Sequence, residues 1–181
     1  MKCLRCHNED ASLFAYDQGV YYCRRCVAFG RMDVGQTPTI PDLSCRAIDV
    51  SPKLKFALTK EQEHVSEQAL AHLKKGKNVF VYAATGAGKT EICYGPICHY
   101  LKKGKKVGFA ISRRPVVLEI AARLREVFPT LKIVEVCQDY TKETDGDLIV
   151  CTIHQLYRYP ETFDLLILDE LDAFPYAGNA L

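Results

Sequence analysis

A chain of 181 residues has room for one full domain and a small module beside it. Its formal net charge of +2 excludes a globally basic coat, and the sixteen basic and sixteen acidic residues from position 58 onward leave only a local site for any nucleic acid. The longest wholly apolar run is six residues, Val79 to Ala84, and no charged-then-apolar leader opens the sequence, so neither a membrane span nor a signal peptide is expected; the expectation is a soluble, cytoplasmic protein.

In that compartment thiols stay reduced, and cysteines at fixed spacing point to a metal rather than to disulfides. Cys3-x-x-Cys6 and Cys23-x-x-Cys26 are two knuckles separated by 16 residues. Between them Leu13 to Tyr16 and Val20 to Tyr22 read as strands joined by a turn at Asp17-Gln18-Gly19, a hairpin that carries the second knuckle back to the first. Four thiolates favour a closed, structural Zn²⁺ site. The remaining cysteines, Cys45, Cys93, Cys98, Cys137 and Cys151, lack such spacing and read as small apolar residues. Residues 1–30 are therefore expected to form a zinc-ribbon-like module, and 31–57, with Gly35, Pro38, Pro41 and Pro52 and no sustained periodicity, a linker.

From residue 58 helices and strands alternate. A helix is expected over Thr59 to Lys75, a strand over Val79 to Tyr82, a helix over Lys89 to Lys103 kinked at Gly95-Pro96, a strand over Val107 to Ile111, and a helix over Pro115 to Phe128. Strands follow at Lys132 to Val136, Leu148 to Cys151 and Leu165 to Leu168. Near-continuous apolar strands alternating with helices predict an α/β fold, a parallel sheet with helices on both faces and ligands at the carboxyl ends of its strands. The basic runs Lys74, Lys75, Lys77 and Lys102, Lys103, Lys105, Lys106 fall at helix ends, where they complement the helix dipole more readily than they make a binding patch.

Residues 83–90 read Ala-Ala-Thr-Gly-Ala-Gly-Lys-Thr, directly after an apolar strand pattern. Thr85, Gly86, Ala87 and Gly88 form a loop whose backbone N–H groups can close around phosphate, Lys89 supplies a point charge, and the Thr90 hydroxyl a Mg²⁺ ligand. Eighty positions beyond Lys89, Leu165 to Leu168 runs into Asp169-Glu170-Leu171-Asp172. Asp169 is placed to hold Mg²⁺ and Glu170 to orient and deprotonate an attacking water, so Lys89, Asp169 and Glu170 are the candidate catalytic residues of an ATP site. Gln62 sits in Thr59-x-x-Gln62, which is a capping box as well as a candidate adenine reader, and both readings stand. Ser112-Arg113-Arg114-Pro115 and Thr152-Ile153-His154-Gln155 follow strands at the same sheet edge; they could grip a nucleic-acid backbone, and Ser112 and Thr152 could equally cap helices.

The loop variant A-x-x-G-x-G-K-T and the Asp-Glu-x-Asp sequence resemble motifs I and II of superfamily 2 helicases. With the cysteine tetrad, Leu-Thr-x-x-Gln, Thr-x-His-Gln-Leu and the run Phe163 to Tyr176, the chain resembles the ComFA family of helicase-like ATPases of bacterial natural competence. That resemblance implies a RecA-like fold and a cytosolic, DNA-stimulated ATPase that helps draw single-stranded DNA through a membrane channel. It implies ATP, Mg²⁺ and Zn²⁺ as cofactors, cytosolic competence proteins and the channel as partners, a place in the cytoplasm or at the inner face of the cell membrane, and DNA contacts by Arg114, Thr152 and Gln155. The chain departs from the family in Arg113-Arg114, where Pro-Arg is common.

The resemblance also implies a motif III strand between the phosphate-loop strand and the Asp169 strand, and a second RecA-like domain, neither of which this sequence contains. Residues 58–181 are thus expected to be an incomplete N-terminal helicase domain, and residues 1–181 by themselves to be poorly soluble or to associate through the gap in the sheet, to bind Mg-ATP weakly and to show no ATP turnover. The alternatives are a zinc-stabilised binding module for DNA or a partner, without turnover, and a zinc-ribbon P-loop nucleoside kinase.

Overall fold

The computed structural model describes residues 1–84, 86–137 and 141–170. Thr85, in the phosphate loop, and Leu171, Asp172 and the run 173–176 after the acidic pair lie outside them.

Strands β1 (Phe14–Asp17) and β2 (Val20–Cys23) form an antiparallel hairpin with Asp17 opposite Val20. The two residues between them, Gln18 and Gly19, both have positive φ, 51° and 85°, which matches the right-handed twist of a two-residue hairpin. The register sets Cys23 opposite Phe14, and a 3₁₀ turn over Arg24–Phe29 brings Cys26 inward. Phe14 and Met32 pack on the four buried cysteines, a core too small to hold thirty residues by apolar burial alone.

The larger unit is an α/β fold around a four-stranded, wholly parallel sheet. It comprises β3 (Val107–Ile111), β4 (Ile133–Val136), β5 (Leu148–Thr152) and β6 (Leu165–Leu168), in the order β4-β5-β3-β6. Every residue of β3 is buried because both faces of the sheet are covered. On one face Val107, Phe109, Ile111, Leu148 and Val150 meet α3 (Tyr94–Lys102) and α4 (Arg114–Val127), whose Val117, Ile120, Ala121 and Leu124 recur at helical spacing. On the other, Ala110, Val134, Val136, Ile149 and Cys151 lie under Tyr159, Leu43 and a 3₁₀ helix, Ile153–Arg158. Among the described residues no helix is long and apolar enough to cross a membrane.

Helix α1 (Lys60–Leu73) packs against α3 at a close point. The helix expected over 89–103 is two pieces, α2 (Lys89–Ile92) and α3, divided at Cys93 rather than at Gly95-Pro96. Pro96 has no N–H to offer the Ile92 carbonyl one turn back, and the Ser66 hydroxyl of α1 donates to that carbonyl instead, at 2.7 Å. Gly95 lets α1 approach, since a Cβ there would stand 2.7 Å from Ser66 Oγ.

One expectation is corrected. Val79–Tyr82 is not a strand: it pairs with nothing among the described residues, and Phe80 and Tyr82 are 72% and 93% exposed. A strand exists only through a ladder partner, and β6, at one edge of the sheet, pairs with β3 alone.

Segment 31–57 carries little regular structure yet is pinned along its length. Ile48 N–H donates to Leu101 O and Lys53 N–H to Val127 O, while Arg46 makes a two-pronged bond to Asp147. Lys106, only 3% exposed, spends its ammonium on Ser44 O at 2.6 Å, Gly146 O at 2.8 Å and Asp145 at 3.2 Å.

Candidate nucleotide site, cysteine cluster and groove

Gly88 forms the N-cap of α2 with φ 77°, and Gly86 has φ 81°, so the loop turns through left-handed backbone that other residues enter only with strain. A Cβ at Gly88 would fall 2.2 Å from Gln62 Nε2, so a side chain there would push that amide off the loop. Both halves of the Gln62 capping box form, with Thr59 N–H donating to Gln62 Oε1 at 2.9 Å and Gln62 N–H to Thr59 Oγ1 at 3.2 Å. Its Nε2 meanwhile donates to Ala87 O at 3.1 Å, so the same side chain fastens the start of α1 to the phosphate loop. Lys89 Nζ turns back onto the loop, donating to Ala83 O at 3.2 Å and Ala84 O at 3.4 Å, and Thr90 is buried. Beside the loop a cavity of about 890 Å³ opens between Phe56, Gln62, Gly88, Glu91, Tyr94 and Arg123.

Asp169 continues the β6 ladder through its N–H to Ala110 O at 3.0 Å, which fixes it at the carboxyl end of the sheet. Burial, and then the charges of Asp169 and Glu91, push the Cys93 thiol up to about 12, so Asp169 acts electrostatically at the end of α2. Glu170 has φ 54° and its N–H donates to Asp169 Oδ1 at 2.9 Å. Its carboxylate accepts a hydrogen bond from Ser112 Oγ at 3.2 Å.

The four cysteines bring their Sγ atoms within 4.8 Å of one another. Cys3 to Cys26 is 3.7 Å and Cys6 to Cys23 3.6 Å. A tetrahedron with bonds of about 2.3 Å to zinc has edges of about 3.8 Å, so the donor set and its size fit that ion. Burial and the neighbouring thiols raise Cys23 to about 11 and Cys26 further. Burial pushes Cys3 the same way, but backbone N–H groups of Cys6 and Arg5 outweigh it and hold Cys3 below its ordinary value. Held this close, the four could all ionise only around a cation.

At the carboxyl ends of β3 and β5, Ser112, Arg114, Thr152 and Gln155 line one groove of about 790 Å³, together with His154 and Arg158 and with Ala28 and Phe29 of the cysteine module. Ser112 is not a cap, since Arg113 holds the N-cap position of α4; Thr152 does hold the N-cap position of the 3₁₀ helix but makes no side-chain cap bond there. Gln155 is 7% exposed, and its Oε1 accepts from Arg158 Nε at 2.5 Å, so it holds that guanidinium in place. The basic run at the end of α3 is engaged elsewhere, Lys102 with Asp49, Lys105 with Asp164 and Lys106 with the linker. Sequence reading missed Arg158, Phe29 and the bond between Ser112 and Glu170. The spacing of Gln155 and Arg158, one helical turn, was available; nothing in sequence places Phe29 beside them.

The chain is similar to the competence protein ComFA of Streptococcus pneumoniae (strain ATCC BAA-255 / R6), 37% identical over 180 residues that cover 99% of this chain and 41% of that protein. It is likewise similar to the competence protein ComFA of Bacillus subtilis (strain 168), 31% identical over 192 residues, 98% of this chain and 40% of the relative. The chain thus spans about two fifths of the length of either relative. Residues 55–177 match the family described as type III restriction enzyme, res subunit, a span that takes in the phosphate loop, the groove strands and the acidic pair, and the chain belongs to that family.

Proposed function

We propose that this chain is the ATP-binding part of a helicase-type ATPase that acts on single-stranded DNA in competence. Lys89 would carry charge to the outer phosphates, Thr90 and Asp169 would hold Mg²⁺, and Glu170 would orient and deprotonate water. Zn²⁺ on Cys3, Cys6, Cys23 and Cys26 would hold the small module together and take no part in turnover. Arg114 and Thr152 would meet the DNA backbone from the carboxyl end of the sheet, with Gln155 holding Arg158 beside them. Movement of the strand, competence partners, the membrane channel and a location at the inner face of the membrane belong to the same reading and rest on the relatives' names and the family resemblance.

The observation that carries it is the hydrogen bond from Ser112, a groove residue, to Glu170, the water-orienting residue. A strand that engages the Ser112 hydroxyl frees the Glu170 carboxylate, which links groove occupancy to hydrolysis. In the complete gene product, single-stranded DNA should raise the ATPase rate. Ser112→Ala should raise the rate without DNA and shrink the DNA-dependent increment. An ATPase indifferent to DNA in the wild-type protein would overturn the reading.

A second reading, a zinc-stabilised binding module without turnover, is favoured by the Lys89 ammonium spent on Ala83 and Ala84 and by the Val79–Tyr82 segment, which has no ladder partner among the described residues. Undetectable affinity for Mg-ATP would select it.

A further inference from the structure

The cysteine module does more than sit beside the groove. Its last turn, Arg24–Phe29, packs against the 3₁₀ helix Ile153–Arg158, and the seam has specific chemistry. The Phe29 ring lies 5.6 Å from that of Tyr157, and the Arg158 guanidinium carbon 5.9 Å from the Phe29 centroid. Arg158 donates to Ala28 O at 2.8 Å from one nitrogen and to Gln155 from another, which sets the spacing of the two walls. One wall of the groove offers the hydroxyls of Ser112 and Thr152 and the Arg114 side chain; the other offers the backbone of Ala28 and the half-buried ring of Phe29.

We propose that the cysteine module supplies one wall of a single-strand groove, with Phe29 as a stacking surface for a nucleobase whose phosphates lie on the wall at the carboxyl ends of β3 and β5. This rests on the reading above, that the groove takes nucleic acid. Hydroxyls and a guanidinium suit a phosphate backbone of any sequence. An aromatic ring facing them suits a base, and bases present a free face only when unpaired, so the fitting ligand is a single strand rather than a duplex. Arg158, tied to both walls, works as a positioning residue that keeps the ring at the groove.

The test is fluorescence anisotropy of residues 1–181 with a labelled oligothymidylate and with an abasic strand of equal length, at one fixed salt concentration. Phe29→Leu keeps apolar contact with Tyr157 but loses the aromatic face. It should weaken oligothymidylate binding about five- to thirtyfold and leave the abasic strand unchanged, whereas Arg114→Ala should weaken both. A thermal melt equal to wild type shows that the variant is folded; if it is not, Phe29→Met is the replacement, with the same expectation. Equal affinity of wild type and the Phe29 variant for oligothymidylate overturns the inference alone, and so does equal weakening toward both strands, which would assign Phe29 to packing. Failure of the wild-type chain to bind either strand overturns the groove reading and this inference with it.

Discussion

The cysteine module and the phosphate-loop region each draw their chemistry from a few residues at fixed spacing, yet they are held by different means. In the module the four cysteines converge through a hairpin and two knuckles within thirty residues, and the apolar core is little more than Phe14 and Met32. The phosphate loop instead depends on distant parts of the chain. Its glycines are braced by Gln62 from α1, the helix after it by Ser66, and its acidic partners arrive on β6, while the segment that leads into it, Val79–Tyr82, has no ladder partner among the described residues. A locally closed site can be complete in a short chain, whereas a site assembled across a sheet is only as ordered as the strands around it.

The largest expected effect separates the two regions outright. Removing metal with a strong chelator, or Cys26→Ser, should unfold the module, because a structural zinc site contributes roughly 10–16 kcal/mol of apparent folding energy at neutral pH. The sheet unit should keep its helical circular dichroism. Metal analysis of protein purified without chelator should find one zinc per chain, and a metal-free protein with an intact module would break the comparison.

A smaller effect tests the bracing of the loop. Ser66→Ala removes the donor to the Ile92 carbonyl, which Pro96 leaves without a helical partner. The cost should be about 1–3 kcal/mol in denaturant melts of the sheet unit, with the cysteine module unaffected. An unchanged midpoint would show that the α1–α3 seam does not depend on this bond.

The smallest effect concerns the linker that joins them. Burial pushes the Asp145 and Asp147 carboxyls up, but hydrogen bonds from Ser44 to Asp145 and from Arg46 to Asp147 outweigh it and hold both below the usual value of 3.8. A depressed folded-state pKa gives stability that is present above the unfolded value and lost as pH falls through the folded one. Segment 31–57 should therefore become protease-sensitive as pH falls below 3.8 and stay protected above it. Ser44→Ala should bring that release to higher pH; the same profile in both proteins would remove these carboxylates from the account.

How far the sequence reaches follows the same division. The tetrad, its hairpin, β3, β6 and the capping box were legible because each is written in adjacent residues: a CxxC pair, a five-residue apolar run, Thr59-x-x-Gln62. Gln62 was legible only as a choice, since its second bond, to Ala87, crosses 25 residues. Val79–Tyr82 misled because its apolar, β-branched and aromatic composition reports the propensity to be a strand and not the presence of a neighbour. Ser112 was placed at the correct end of the strands, but its partner Glu170 lies 58 residues on, and Phe29 meets Tyr157 across 128, distances at which spacing carries no signal.

The central claim, that residues 86–90 with Asp169 and Glu170 form a nucleotide site with divided roles, is tested most directly by titrating the chain with a fluorescent Mg-ATP analogue. The account predicts measurable binding by wild type, binding within about threefold of it for Glu170→Gln, which keeps the phosphate contacts, and at least tenfold weaker binding for Lys89→Ala, which removes charge from the phosphates. Equal loss in both variants, or a Lys89→Ala protein that binds like wild type, would contradict it.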